Sequence, residues 1–339
     1  MSLNAGKIDQ AALERILAYT GTADPQVLLG PRFGEDAGVV RLGPGGLVAA
    51  SDPVTLASEQ VGWYAVHINA NDIAVTGGIP RWFLSTILLP PSTADGVLER
   101  IFLQIHDACR ELAVAVIGGH TEVSMSVRQP LVCGTMLGTV DPDRIIRTAG
   151  ARTGDVIIMT KGVCIEGAAL LALDRPVESK FILGEERWKK VCNYLREPGI
   201  SVLRDARIAC ETAEVHAMHD PTEGGLNMGL YEMAVSSGLG VELDEDSILF
   251  IDDSVTLCER FAMDPLRTLT SGTLLIAVAP AEADSLLAAY HRKNIPAAVI
   301  GRMVPEGFTV FRRGLRYPLV CSAQDETVSL INRELFPEP

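Results

Sequence analysis

Hydrophobic residues recur along the chain with two alternating periods. Ile8, Leu13, Ile16 and Leu17 follow helical spacing, with Gly21 and Pro25 beyond them, which predicts a short amphipathic helix. Ala37–Leu42 and Leu47–Ser51 flank Gly43-Pro44-Gly45-Gly46 and read as two strands joined by a turn. That hairpin sets Asp36 and Asp52 at its far end as candidate neighbours. From Glu59 to Thr76, Trp63, Val66, Ala70 and Ile73 recur at spacings of three or four until Gly77-Gly78 and Pro80. The predicted helix carries Asn69 and Asp72 on one face. Arg81–Leu89 reads as a strand, Thr93–Leu112 as a helix, and Ala113–Gly118 and Leu131–Val140 as further strands.

Asp141–Gly154 is polar and rich in Arg, Asp and Gly, the expected boundary between domains over residues 1–150 and 151–339. Beyond it a strand at 155–160 leads to helices near 164–174, 185–195 and 200–213 and a short strand ending at His219. The glycine-broken loop Asp220–Gly225 opens a helix through Val235. Strands at 273–279, 297–304 and 308–312 surround a helix at 281–293, so both halves read as α/β.

Composition narrows what such a chain can do. Its 339 residues suit about two domains. With 47% hydrophobic and 21% charged residues it can bury a substantial core. Twenty-nine Lys+Arg against 43 Asp+Glu give a net charge of −14, which disfavours nucleic acid and anionic membrane surfaces as partners. The longest apolar runs, such as Leu274–Ala279, fall short of the ~20 residues of a membrane span, and no leader-like apolar segment precedes residue 10. The seven cysteines are odd in number and widely spaced, from Cys109 to Cys321, which leads us to expect reduced thiols in a cytoplasm.

The common nucleotide, hydrolase and zinc motifs are absent: there is no Gly-x-x-x-x-Gly-Lys-Ser/Thr, Gly-x-Gly-x-x-Gly, Gly-x-Ser-x-Gly, Cys-x-x-Cys or His-Glu-x-x-His. Instead, acids stand at predicted element ends: Glu35-Asp36, Asp52, Asp72, and Glu122 after Gly118-Gly119-His120-Thr121. Such hard oxygen donors suit Mg²⁺, which sits between carboxylates and phosphates, and a nucleoside triphosphate is the natural source of those phosphates. Taken singly, each acid reads equally as a solvated side chain or a cap. Gly118-Gly119 lets a backbone approach a ligand or simply turns. His219-Asp220-Pro221-Thr222-Glu223-Gly224-Gly225 precedes a helix start that favours an anion, or is a plain cap with Thr222 capping. His216 and His219 form a His-x-x-His without a third ligand nearby. Lys161, one of only six lysines, ends an apolar strand, where it either meets a phosphate or holds its head in water.

Gly34-Glu35-Asp36-Ala37, Ser51-Asp52, Asn71-Asp72-Ile73-Ala74, Gly118-Gly119-His120-Thr121 and Asp220-Pro221-Thr222-Glu223-Gly224-Gly225 occur in one order. Together they resemble the superfamily of aminoimidazole ribonucleotide (AIR) synthetase, thiamine-monophosphate kinase, selenophosphate synthetase and the hydrogenase maturation factor HypE, with HypE the nearest in look. The resemblance spans about residues 30–315 and implies an α/β (α+β two-layer) fold. Its N-terminal AIR synthetase-like α/β domain would dimerise through its sheet, a second such domain would follow, and ATP and Mg²⁺ would bind in the cleft between them. Carried over, Asp36, Asp52 and Asp72 hold the metal, with Glu122 a substitute ligand for the acid that His120 replaces. Asn71, Gly118, Gly119 and Thr121 then lie against the nucleotide with Lys161, while Asp220, Thr222 and Glu223, with His120, serve catalysis.

Three departures qualify the match. His120 stands where the kinases and HypE have Asp, although selenophosphate synthetase also shows Gly-Gly-His. The Ser-Glu-Gly of HypE reads Thr270-Ser271-Gly272 here, and its Pro-Arg-Ile-Cys tail is replaced by Leu335-Phe336-Pro337-Glu338-Pro339. The resemblance thus implies an ATP-dependent, Mg²⁺-requiring enzyme that phosphorylates a small polar substrate or dehydrates it with the help of phosphate. Alternatives are an ATP-binding sensor or maturation-partner protein that has lost catalysis, and a thiamine-monophosphate kinase.

Overall fold

The computed structural model describes residues 7, 8, 10–55, 60–322 and 324–335. Its chain forms two units: an N-terminal unit of Thr22–Pro31 and Asp36–Ile145, and a C-terminal unit of Arg32–Glu35, the segment up to Gly21 and the chain from Ile146 onward. Helix α1 (Gln10–Leu17) belongs to the C-terminal unit. No helix among the described residues is long and apolar enough to cross a membrane.

The N-terminal unit is built from β1 (Val27–Leu29), β2 (Gly38–Leu42), β3 (Gly45–Ala50), β4 (Pro53–Val54), α2 (Val61–Val75), β5 (Ile79–Leu89), α3 (Val97–Glu111), β6 (Ala115–Val123) and β7 (Leu131–Val140). Its sheet runs β1-β2-β3-β7-β5-β6, with β4 also on β7. The expected hairpin forms with Gly38 opposite Ala49 and Leu42 opposite Gly45, leaving Asp36 and Asp52 at the same end. In β7 every second residue is buried, because one face of the strand meets the core. Helix α3 turns Ile101, Ile105, Ala108 and Cys109 inward at helical spacing. Helix α2 is different: all its residues except Ile68 are buried, and it presses directly on β7. A Cβ on Gly134 of β7 would lie 2.5 Å from the Asn69 Nδ2 and 2.9 Å from the Ala65 carbonyl, so only glycine admits the helix so close.

The C-terminal unit adds β8 (Val156–Thr160), α4 (Ile165–Asp174), α5 (Pro176–Leu183), α6 (Glu185–Cys192), α7 (Leu203–Thr212), β9 (Val215–His219), α8 (Gly225–Ser236), β10 (Gly240–Asp244), α9 (Asp252–Arg260), β11 (Leu275–Val278), α10 (Pro280–Arg292), β12 (Ala297–Val304), β13 (Phe308–Arg312), β14 (Leu315–Pro318) and α11 (Glu326–Leu335). The sheet order is β14-β13-β10-β12-β8-β11-β9. The inner strands β8 and β11 are continuous apolar runs because both their faces are covered. Leu226, Leu230 and Met233 of α8 meet Ile157, Met159 and Leu275 in the core.

Several elements depart from the sequence expectation. The strand expected to stop at Gly118 runs on to Val123, because β6 pairs with β5 from Trp82–Ala115 through Leu89–Val123 and the glycines do not interrupt that ladder. His120 and Glu122 therefore sit inside a strand and not at an element end. Helix α5, opened by Pro176 at its first position, was not expected, nor were β10, α9 and α11. The expected start of α2 at Glu59 lies outside the described residues. We expect Gly134→Ala to push Asn69 out of place and cost about 2–3 kcal/mol, read from the midpoint of urea unfolding.

Candidate functional site

In the N-terminal unit one buried side chain fixes the main chain of a candidate acid. Asn69, fully buried on α2, accepts a hydrogen bond from the Asp52 N–H at 2.8 Å. Its amide nitrogen donates to the Ala65 carbonyl at 2.8 Å and to the Asp52 carbonyl at 3.2 Å. The Gly134 N–H donates to the same Asp52 carbonyl at 2.9 Å. The main chain of Asp52 is thus pinned while its side chain stays exposed. Asp72, one helical turn beyond Asn69, is 6% exposed, and Asn71 is fully buried beside it. Asp36 is half-buried just ahead of β2. The donors offered by Asp36, Asp52 and Asp72 are all carboxylate oxygens, chemistry that fits a hard divalent cation such as Mg²⁺.

Gly118, Gly119, His120, Thr121 and Glu122 all lie exposed on the edge strand β6. His120 and Glu122 share a face of the strand, with His120 Nε2 3.4 Å from Glu122 Oε2, and Gly119 and Thr121 share the other. No hydrogen bond links the His120–Glu122 pair to the side chains of Asp36, Asp52 or Asp72 among the described contacts.

In the C-terminal unit the loop 220–224 leads into α8. Asp220 is 3% exposed, while Thr222 and Glu223 are half-buried. The Thr222 hydroxyl donates to Glu223 Oε2 at 3.1 Å, and the helix is entered through Gly224 at φ 82°, so Thr222 is not its cap. Nor does the helix start stand open to a ligand. The Gly224 N–H donates to Asp325 Oδ2 at 2.8 Å and the Gly225 N–H to the Thr222 carbonyl at 3.2 Å, so the anion nearest this end is the protein's own Asp325. Burial pushes the Asp325 carboxyl up to about 6, although these N–H bonds pull the other way.

Lys161 holds its head neither in water nor open to a phosphate. The residue is 8% exposed, and its Nζ donates to the carbonyls of Gly199 at 3.1 Å and Ser201 at 2.7 Å, with Asp205 Oδ2 3.6 Å away. Burial draws the ammonium below its ordinary range, while Asp205 and Asp220 push it back up. The two histidines of His-x-x-His are separated by strand geometry, since residues three apart in β9 point to opposite faces. His216 Nδ1 lies 2.9 Å from Asp155, and its Nε2 lies 2.9 Å from Arg152 Nη1, so both ring nitrogens are engaged within the protein. His219 Nε2 donates to Glu232 Oε2 at 2.9 Å, and Lys7 Nζ donates to Glu232 Oε1 at 2.9 Å. Glu35 accepts from the Thr148 and Ala149 N–H groups at 3.1 and 3.4 Å, a structural use of an acid that the sequence placed among the metal candidates.

Sequence reasoning passed over Glu166. It is the second residue of α4, 4% exposed, and its Oε2 has no hydrogen-bond partner among the described residues. Burial pushes its carboxyl up to about 8, with Glu223 and Asp325 adding to the shift and Ser271 opposing it. A signal was available, since Glu166 is the one charged residue in the apolar run from Val163 to Ala172. Asn69 was noticed on its helix face, but not as the residue that positions Asp52.

Comparison with known proteins bears on both units. The model of the AIR synthase related protein N-terminal domain matches residues 34–140, and that of the C-terminal domain matches residues 152–313. The chain is 28% identical over 287 residues to the carbamoyl dehydratase HypE of Rhizobium leguminosarum bv. viciae, covering 81% of this chain and 78% of that one. It is 29% identical over 338 residues to the selenide, water dikinase of Pelobacter propionicus, covering 89% and 93%. A crystal structure of the hydrogenase maturation protein HypE in complex with ATP superposes with a TM-score of 0.72 at 22% identity, covering 85% of this chain and 89% of that one.

The Lys7–Glu232–His219 contacts carry a pH signature. Burial alone would raise the Glu232 carboxyl, but Lys7 and the His219 bond outweigh it and bring it down to about 2. A carboxyl lowered on folding stabilises fully above its unfolded value near 4.5 and loses that contribution as pH falls towards 2. We expect Glu232→Gln to cost about 3 kcal/mol at pH 7, a deficit that shrinks as the pH is lowered below about 4.5, measured by denaturant unfolding at a series of pH values.

Proposed function

The chain belongs to the AIR synthase related family, in both its N-terminal and C-terminal domains, and from that footing we propose that it is an ATP-dependent, Mg²⁺-requiring enzyme. It transfers a phosphoryl group to a small polar substrate or uses phosphate to assist that substrate's dehydration. The observation that carries this reading is the Asp52 main chain pinned by Asn69, with the buried Asp72 one helical turn beyond Asn69 on α2. The relatives support it: one is a carbamoyl dehydratase, another a selenide, water dikinase, and a similar fold has been seen with ATP.

Asp36, Asp52 and Asp72 would hold the metal, with Glu122 beside His120 as a further carboxylate on β6. Bound there, Mg²⁺ would neutralise phosphate charge. Asn69 keeps Asp52 from swinging away, so little ordering remains to be done when the nucleotide arrives. Asn71, Gly118, Gly119 and Thr121 are assigned to the nucleotide, and Asp220, Thr222 and Glu223 to the second substrate. Lys161 takes part from inside the fold: it ties down the 199–201 turn, and Asp220 feels its charge. None of the seven cysteines forms a disulfide, which suits a reducing cytoplasm.

We further assign β6 to a homodimer contact. Every residue of this edge strand is exposed, including Val116 at 49%, Ile117 at 53% and Val123 at 63%, and its outer backbone groups are open to pairing. Light scattering should give the mass of two chains for the wild type and of one for Ile117→Asp.

Calorimetry with a nonhydrolysable ATP analogue should show Mg²⁺-dependent binding that Asp52→Asn and Asp72→Asn each weaken by about tenfold or more. Binding that ignores Mg²⁺ or both substitutions would refute the reading. Binding without turnover on any substrate would favour a nucleotide sensor.

A further inference from the structure

Three segments of the C-terminal unit meet at a point that the ATP reading leaves unused. The Cys164 N–H, at the start of α4, donates to Thr270 Oγ1 at 2.6 Å, and the Thr270 N–H donates to the Thr222 carbonyl at 3.3 Å. Asp325 fastens the third segment through Gly224. A Cβ on Gly167 would meet the Leu269 carbonyl at 2.8 Å, and one on Gly225 the Leu266 carbonyl at 2.6 Å, so the segments are packed backbone to backbone.

At this junction stand Glu166, 4% exposed, and Ser271, 1% exposed. Neither Glu166 Oε2 nor Ser271 Oγ has a hydrogen-bond partner among the described residues. Ser271 lies near enough to draw the Glu166 carboxyl part of the way down, yet makes no bond of ordinary geometry to it. A buried carboxyl oxygen and a buried hydroxyl whose bonding capacity is unmet cost the fold stability unless something they bind recovers the loss. Glu223, half-buried on the 220–224 loop, acts electrostatically on the Glu166 carboxyl.

We propose that Glu166 and Ser271 are the specificity pair for the second substrate, receiving an uncharged hydrogen-bonding group and turning away anionic and cationic ones. This rests on the ATP-dependent reading only in calling that ligand a second substrate. The charges around Glu166 explain the selection. Glu223 on the loop and Asp325 ahead of α11 are the acids that face it, and both disfavour an incoming anion. On α5, α6 and α9, which pack against α4, Lys180 and Lys189 lie 3.4 and 3.2 Å from Glu185, and Arg187 and Lys190 reach Asp253 at 2.6 and 3.0 Å. No cation acts on Glu166, whose carboxyl burial raises to about 8, and at neutral pH it offers an O–H donor beside a C=O acceptor. A cation is drawn by Glu223 and Asp325, yet meets the Glu166 O–H donor until that proton is expelled. The pair thus disfavours a phosphate monoester as acceptor, which sets this chain apart from a kinase acting on a phosphorylated vitamin.

The test uses the full chain and three isosteric probes of different charge: acetamide, acetate and acetamidinium. Saturation-transfer NMR at pH 7 should show acetamide binding several-fold more strongly than either ion, with the signal fading as pH rises through about 8. Glu166→Gln, which stays neutral at every pH, should keep acetamide binding and abolish its pH dependence, while Glu166→Ala should lose it. Difference infrared spectra should show a protonated carboxyl at pH 7 that is absent from Glu166→Gln. Equal binding of an ion, an unchanged pH limb in Glu166→Gln, or no protonated carboxyl would each overturn the proposal. None of these measurements needs nucleotide, so failure of ATP to bind in calorimetry would count against the enzymatic reading alone.

Discussion

Removing a carboxyl group from water is the constraint around which the C-terminal unit is organised, and the unit meets it in three ways. Glu232 is met by a lysine and a histidine and stays ionised far into acid, with its carboxyl at about 2. Asp325 is met by backbone N–H groups at the start of α8 and of its own helix, which offset only part of the cost of burial and leave it at about 6. Glu166 is met only by the Ser271 hydroxyl and gives up its charge at neutral pH, at about 8. The order follows from the partners: full charges hold an anion best, N–H dipoles hold it less well, and a lone hydroxyl hardly at all. The first two acids are structural, and only the third has bonding capacity left over.

The N-terminal unit uses a neutral side chain to similar effect. Asn69 lies inside α2, a helix buried on nearly every face, and spends its amide on the main chain of Asp52 and on Ala65. That leaves the Asp52 carboxylate exposed on a backbone that cannot drift, an arrangement suited to a ligand that arrives with its own charge. The close approach at Gly134 makes the contact possible, so a residue with no side chain on β7 helps set the main chain of Asp52 in the loop between β3 and β4.

Much of the scaffold can be read from the chain because its signals are local. The glycine-proline turn at 43–46, the alternation in β7, the apolar runs of β8 and β11, and the helix opened at Gly225 all depend on neighbours within a few residues. Where the reading failed, the deciding contact came from elsewhere. Gly118 and Gly119 look like the end of a strand, yet β5 carries the ladder past them to Val123. Strand β10, of five residues, takes its place from β12 and β13 on either side. Lys161 looked like a phosphate contact or a solvated head, and the carbonyls of Gly199 and Ser201 take it instead.

The order of the motifs, the two α/β halves and the acidic balance were determined by the sequence alone, because periodicity, turn residues and formal charge need no partner to be read. Which acids are paired, which are neutralised and which remain unspent was decided only by the tertiary structure. Glu166 is an ordinary glutamate on paper, and its proton affinity depends on Ser271, Glu223 and Asp325, each brought to it from a distant part of the chain. Ionisation follows the local dielectric and the nearest charges, and both come into being only when the segments have packed.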